Sequence, residues 1–189
     1  MPYRISLALL ASVLCLSAAA GPLDQTECIA PAKPGGGFDL SCKLVQRGLL
    51  DGRFITTPMH LRYLPGGIGA VAYSSVIAQS PPQPNAIVAF SGGSLLNLAQ
   101  GKFGRHTERD VRWLAAIGTD YGAVVVAQDS AFQTLSDVMR AMKADPAKVV
   151  LGAGGTIGSQ DWMKVALLAR AAGANPKRMR FVAFEGGGE

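Results

Sequence analysis

The chain repeats one short pattern, in which a β-type run leads through a glycine-rich turn into a helical run. In the first instance, Cys28–Ala32 is followed by the turn Pro34-Gly-Gly-Gly-Phe38 and then by a helix that begins at Asp39, a residue favoured at helix N-caps. A helix after each strand brings the chain back to the same edge of a sheet, so successive strands run parallel. The sequence therefore predicts an α/β fold with a largely parallel sheet.

The same pattern continues along the chain. The predicted strands are 60–64, 86–90, 149–151 and 181–184, and the predicted helices are 69–78, one that ends near Gln100, one from Thr134 to about 143, and 160–172. Thr134 and Asp137 have the spacing of a capping box at the start of their helix. The cluster Pro81, Pro82 and Pro84 predicts a loop. Because the chain ends on a glycine-rich turn with no helix after it, we expect it to be the first part of a longer protein.

Two apolar, β-rich runs lie in the middle of the chain, Trp113–Ile117 and Ala123–Ala127, joined by a short polar and glycine-containing turn. We interpret them as a crossing between two lobes. The expected organisation is a signal peptide over 1–20, a first lobe over 21–120 and a partial second lobe over 121–189.

The first twenty residues have the three parts of an export signal. Arg4 supplies the positive charge, Ile5–Leu16 the apolar run, and Ser17–Ala20 the small residues at which a signal peptidase cuts. The apolar run is shorter than the roughly 20 residues of a spanning helix. A lipoprotein signal at Cys15 is the alternative, but Leu14 stands where such signals have a small residue. We therefore predict export to the periplasm.

Composition excludes several classes of function. The formal net charge is +5, without any Lys/Arg run dense enough for nucleic acid. No His, Cys or carboxylate cluster has metal-ligand spacing, and His60 and His106 stand alone. We expect no cofactor and no metal, and the mild positive charge suits an anionic ligand.

Two cysteines, Cys28 and Cys42, remain after the signal peptide. An exported protein meets an oxidising compartment, which favours a disulfide between them. Two buried free thiols are the alternative.

Glycine-rich turns between a strand and a helix occur four times, at 34–38, 65–68, 91–94 and 152–159. Glycine permits backbone conformations that point successive N–H groups into one concavity, and the helix behind adds the positive end of its dipole. Together these turns favour a cleft that binds an anion. The alternative for each turn is that its glycines only make the chain turn tightly.

An enzyme is the second class of function that the sequence allows. Gly152, Gly154 and Gly158 have a spacing typical of a dinucleotide-binding turn, with Glu185 as a ribose ligand, but an exported protein has little access to NAD. Asp39 is either a general base or a helix N-cap. Ser91 lacks the nucleophile-elbow pattern. Trp113 and Trp162 are either core residues or platforms for a ligand. We predict a binding protein and no catalysis.

Four motifs occur in the order and at about the spacing of one family: Pro34-Gly-Gly-Gly-Phe-Asp39, Pro65-Gly-Gly-Ile-Gly69, Gly154-Gly-Thr-Ile-Gly-Ser159 and Val182-Ala-Phe-Glu-Gly-Gly-Gly188. In these motifs the chain resembles the periplasmic substrate-binding subunits of tripartite tricarboxylate transporters, the Bug-type solute-binding family. The resemblance covers nearly the whole chain after the signal peptide, and it is most specific for members that bind citrate.

The resemblance implies a two-lobed type II periplasmic binding protein fold, incomplete here, that closes over a small carboxylate. It implies a monomeric receptor that delivers its ligand to the large and small membrane subunits of the transporter. The ligand-binding residues that it implies are Gly36, Gly37, Phe38, Asp39, Ser91, Gly92, Ser94, Thr156, Ile157, Gly158, Ser159, Gln160, Glu185 and Gly186. Many members of the family have a histidine where this chain has Trp162, preceded by Asp161, so a ligand role for that histidine does not transfer.

Overall fold

The computed structural model describes residues 25–79 and 84–184 of the 189-residue chain. The predicted signal peptide, most of the proline-rich loop, Glu185 and Gly186 lie outside the described residues. Within those two ranges, no helix is both long and apolar enough to cross a bilayer.

Two parallel sheets form the framework. The first has three strands, β1 (Glu27–Ala30), β2 (His60–Tyr63) and β3 (Ala86–Val88), in the order β2-β1-β3. The second pairs β4 (Val150–Gly154) with β5 (Arg180–Phe184). Each predicted strand-and-helix unit is present, and the parallel pairing confirms the expected α/β class.

The described chain also contains five α-helices. These are α1 (Gly37–Asp51), α2 (Ala70–Ala78), α3 (Gly92–Ala99), α4 (Leu135–Ala144) and α5 (Gln160–Ala171). Short 3-10 turns cover Gly67–Gly69, Glu108–Asp110, Pro146–Lys148 and Pro176–Arg178. The predicted capping box is confirmed, because the Thr134 side chain accepts from the Asp137 N–H and the Asp137 carboxylate accepts from the Thr134 N–H.

Each sheet has its own apolar core. The cluster beneath the first sheet contains the buried residues Cys28, Ala30, Cys42, Ile55 and Met59. The cluster beneath the second contains Val138, Met142, Val149, Ala169 and Ala174. The first cluster has residues of β1 and α1, and the second has residues of α4 and α5 with Leu151 of β4 packed against them. This packing is how an α/β layer removes its apolar faces from water.

The disulfide expected from the sequence is present. It joins Cys28 in β1 to Cys42 in α1, with 5.8 Å between the Cα atoms, and both residues are buried. This crosslink fastens the central strand of the first sheet to the helix that follows it. The structure therefore contains the disulfide and not the alternative of two free thiols.

Two expectations need correction. The first helix begins at Gly37 with Gly36 as its N-cap, so Asp39 lies inside the first turn and is not the cap. The runs 113–117 and 123–127 form no strand, and residues 112–127 have no regular secondary structure. A β-rich run becomes a strand only beside a neighbouring backbone, and no other described segment pairs with this one.

Candidate functional site

The glycine-rich turns of the first sheet gather at one edge. Because β1, β2 and β3 are parallel, the turns that follow them all leave from the carboxyl ends of the strands. A hydrogen bond of 2.7 Å from the Ser94 hydroxyl to the Ile68 carbonyl joins the turn after β2 to the start of α3. This edge is where α/β proteins bind ligands.

The turn after β4 approaches the same edge very closely. Gly155 has a φ of +91°, and a Cβ atom there would lie 2.2 Å from Cδ1 of Ile68. A Cβ atom at Gly93 would lie 3.1 Å from Cβ of Gln160, the first residue of α5. These two glycines therefore let the turns of the two sheets meet, with the N-termini of α3 and α5 side by side.

The backbone N–H groups at the starts of three helices have no acceptor within the described chain. They belong to residues 37–39 at α1, 92–93 at α3, and 156–158 with 160–161 at α5. The first turn of a helix leaves such donors free, and the helix dipole adds a partial positive charge there. Three such starts supply donors suited to a carboxylate or a phosphate.

Asp39 is buried, with 1% of its surface exposed, and both oxygens of its carboxylate accept hydrogen bonds from the protein. Oδ2 accepts hydrogen bonds from the Lys43 ammonium at 2.7 Å and from the Gly35 N–H at 2.8 Å, while Oδ1 accepts from the Tyr63 hydroxyl at 2.9 Å. The bond from Lys43 is the main reason why the pKa of Asp39 lies below its ordinary value. The carboxylate thus shapes the first turn, and its three hydrogen bonds with its burial favour a structural role over that of a general base.

The serines of the predicted site hold the turns in place. Ser91 is the N-cap of α3 and accepts from the Ser94 N–H at 3.0 Å, and Ser159 is the N-cap of α5 and accepts from the Trp162 N–H at 3.3 Å. Ser94 is fully buried and donates to Ile68. These hydroxyl groups orient the donors around them.

The other predicted residues take different positions. Phe38 is half-buried against the first core cluster, Thr156 and Ile157 are exposed, and the amide oxygen of Gln160 lies by Gly92. The structure thus brings the turns after β3 and β4 into contact and places the turn after β1 at the same edge. The ligand roles of these residues remain predictions.

Sequence reasoning missed Lys102. Its ammonium donates to the Ile157 carbonyl at 3.1 Å and to the Asn97 side-chain oxygen at 3.4 Å, which links the chain after α3 to the turn before α5. The two partners Lys102 and Ile157 are 55 positions apart. The sequence held no local pattern that could have predicted their contact.

The geometry does not favour a dinucleotide turn. Gly152 and Gly154 lie inside β4, and a Cβ atom at Gly152 would be 2.9 Å from the ring of Phe184. Of the three glycines in the dinucleotide-type spacing, only Gly158 lies in the turn after β4. Among the described residues, no three His, Cys, Asp or Glu side chains gather as metal ligands.

The two tryptophans lie in different settings. Trp113 packs its ring on Phe90, with centroids 5.2 Å apart, and its indole N–H donates to the Glu108 carbonyl. Trp162 is half-buried in the first turn of α5, where its neighbour Asp161 accepts from Lys164 at 3.1 Å. Both contacts fasten Trp113 to residues that follow β3 in the chain.

The fold is shared with several solved structures. A structure described as a periplasmic transporter superposes with a TM-score of 0.65 at 17% identity, covering 89% of this chain and 55% of that chain. The chain has part of an α/β periplasmic binding protein fold. An R. palustris protein with adipate superposes with a TM-score of 0.59 at 17% identity, covering 87% of this chain and 54% of the other. A TctC solute binding protein from Polaromonas, without ligand, superposes with a TM-score of 0.52 at 21% identity, covering 87% of this chain and 54% of the other.

The chain thus spans about half the length of these structural relatives. At identities of 17–21% the likeness shows the periplasmic binding protein fold and not the ligand. No protein-family model matches the chain, and none of the curated proteins matches it.

Proposed function

We propose that this chain is the binding part of an extracytoplasmic solute receptor for a di- or tricarboxylate, with citrate as the first candidate. The observation that carries the proposal is the set of N–H donors at the starts of α1, α3 and α5 that have no acceptor among the described residues. Gly93 and Gly155 bring two of these helix starts, those of α3 and α5, side by side. Such donors bind an anionic oxygen without needing a charged side chain. A ligand with two or three carboxylates would use donors from both sheets at once.

The relatives support this ligand class. One of them holds adipate, a dicarboxylate, and another is a TctC solute binding protein. The four glycine motifs of this chain resemble the Bug-type receptors of tripartite tricarboxylate transporters. We therefore propose that the receptor acts as a monomer and passes its ligand to the large and small membrane subunits of such a transporter.

A periplasmic location fits the same proposal. The Cys28–Cys42 disulfide suits an oxidising compartment, and residues 1–20 have the composition of an export signal. A receptor of this kind performs no chemistry, in keeping with a buried Asp39 carboxylate that accepts hydrogen bonds from Lys43, Gly35 and Tyr63.

Titration calorimetry and thermal unfolding with citrate, malate, adipate, acetate and NAD would test the proposal. A ligand that binds only the native state raises its apparent stability. We expect heat and a raised melting temperature with the di- and tricarboxylates and not with NAD. Binding of NAD alone, or of none of the carboxylates, would overturn the proposal.

A single donor can be removed at Gly37, the first residue of α1. Proline is tolerated at the first helical position because its missing N–H has no partner there, and no atom lies within 4 Å of a Cβ at Gly37. We expect Gly37→Pro to weaken carboxylate binding while the protein stays folded. Leu135→Pro makes the same change at the first position of α4, away from these turns, and should leave affinity unchanged.

A further inference from the structure

The ammonium of Lys102 is held by two neutral oxygens. It donates to the carbonyl of Ile157 at 3.1 Å and to the side chain of Asn97, itself 3% exposed, at 3.4 Å. No carboxylate in the described ranges pairs with it. A positive charge is therefore fixed beside the turn that precedes α5, without a negative partner from that part of the protein.

The close approach of the Lys102 ammonium to the Ile157 carbonyl depends on Gly158. A Cβ atom at this position would lie 2.9 Å from Nζ of Lys102, and the φ of +84° lies in the left-handed region that favours glycine. The ammonium can thus reach past Gly158 to the carbonyl of the preceding residue.

The bond to the Ile157 carbonyl also sets the direction of a donor. In a trans peptide the C=O and the following N–H point in opposite directions, so holding the Ile157 carbonyl on Lys102 turns the Gly158 N–H away from the ammonium. That N–H belongs to the set without an acceptor in the described chain. The peptide is fixed on one side by Lys102 and offers its donor on the other.

We propose that Lys102 is a positioning residue for the ligand. It acts through the Ile157–Gly158 peptide, which it orients so that the Gly158 N–H donates to a carboxylate held between the turns after β3 and β4. The inference rests on the proposed carboxylate receptor and names a residue outside the set that the sequence predicted.

Calorimetric titration of wild type, Lys102→Met, Lys102→Arg and Lys177→Met with adipate and citrate tests this role. Lys177→Met is the matched control, because it removes the same charge from an exposed position in the 3-10 turn before β5. We expect Lys102→Met to bind about tenfold more weakly and Lys102→Arg, which keeps a donor, to recover most of the affinity. Lys177→Met should bind like wild type.

Amide spectra of ¹⁵N-labelled protein give a second readout. The Gly158 resonance should shift on ligand addition in wild type and respond much less in Lys102→Met. If wild type binds and Lys102→Met binds equally well, or if Arg fails to rescue, the positioning role is wrong. If wild type binds neither acid, the proposed function itself fails.

Discussion

The Tyr63 hydroxyl donates a 2.9 Å hydrogen bond to Oδ1 of Asp39, which joins the end of β2 to the first turn of α1. The other oxygen of the same carboxylate accepts from Lys43 and from the Gly35 N–H. One buried carboxylate therefore fixes the shape of the first glycine-rich turn from three sides. The backbone donors of that turn owe their arrangement to this anchor.

Replacing Asp39 by asparagine should destabilise the protein in a pH-dependent way. Above about pH 4, the ordinary range of a carboxyl pKa, we expect a loss of about 1–3 kcal/mol of unfolding free energy, because the bonds from Lys43 and Tyr63 lose their charged acceptor. The pKa of Asp39 is lowered in the folded state, chiefly by Lys43. The wild-type advantage should therefore disappear as the pH falls through that lowered pKa.

Urea denaturation of both proteins between pH 3 and pH 7 measures this difference. Asp51→Asn is the matched control, since Asp51 lies on the same helix in an exposed pair with Arg47 and should change stability by less than about 0.5 kcal/mol. A difference between wild type and Asp39→Asn that stayed constant down to pH 3 would contradict the prediction.

Alanine at Gly155 should disturb the contact between the turn after β4 and the turn after β2. Its Cβ would lie 2.2 Å from Cδ1 of Ile68, and the backbone has a φ of +91°. Gly101→Ala is a matched control, because Gly101 has a φ of +73° and nothing within 4 Å of its Cβ. Each change should cost about 1–3 kcal/mol through the backbone alone.

The collision should add to that cost only at Gly155. We expect Gly155→Ala to be the more destabilising of the two in thermal unfolding, and Ile68→Ala to recover part of the loss in a double-mutant cycle. Equal losses at Gly155 and Gly101, or independence from Ile68, would show that the two turns do not touch.

Thr134→Ala should remove the N-cap of α4. The Thr134 hydroxyl accepts from the Asp137 N–H, and loss of such a cap costs about 1 kcal/mol. Ser136→Ala, an exposed change in the same turn, should be neutral or slightly stabilising because alanine favours a helix. Chemical denaturation followed by circular dichroism measures the free energy of unfolding of both variants. A smaller loss for Thr134→Ala than for Ser136→Ala would contradict the prediction.

Reduction of the Cys28–Cys42 disulfide should lower stability by up to about 3 kcal/mol, because the bridge closes a loop with a sequence separation of 14. Thermal unfolding with and without a reductant gives the difference. Cys28→Ala with Cys42→Ala should melt at the same temperature in both buffers. An equal melting temperature of wild type with and without reductant would show that the bridge does not form in solution.

Local patterns in the sequence predicted most of the helices and strands. The capping box at Thr134 and Asp137 and the glycine turns each depend on residues a few positions apart, so their structure could be inferred without knowing the fold. Asp39 shows the limit. An acidic residue near a helix start suits either the cap or the third helical position, and residue type alone does not decide between them. The backbone bond from Leu40 to Gly36 makes Gly36 the cap.

Contacts between distant parts of the chain could not be read in this way. The β-rich residues of 113–127 have the composition of strands, yet a strand requires a neighbouring backbone that composition does not specify. The contact from Lys102 to Ile157 and the one from Ile68 to Gly155 likewise depend on how the turns meet. The sequence therefore predicted the turns of the site but not the contacts of Lys102 and Ile68 that join them.

The strand order β2-β1-β3 has a consequence for how the chain folds. The earliest strand in the described chain occupies the centre of its sheet, and its partners β2 and β3 follow only after α1 and α2. A polypeptide that emerges from its N-terminus cannot complete this sheet until residue 88 is available. Such non-local parallel pairing folds slowly, so the first sheet should form later than the helices that cover it.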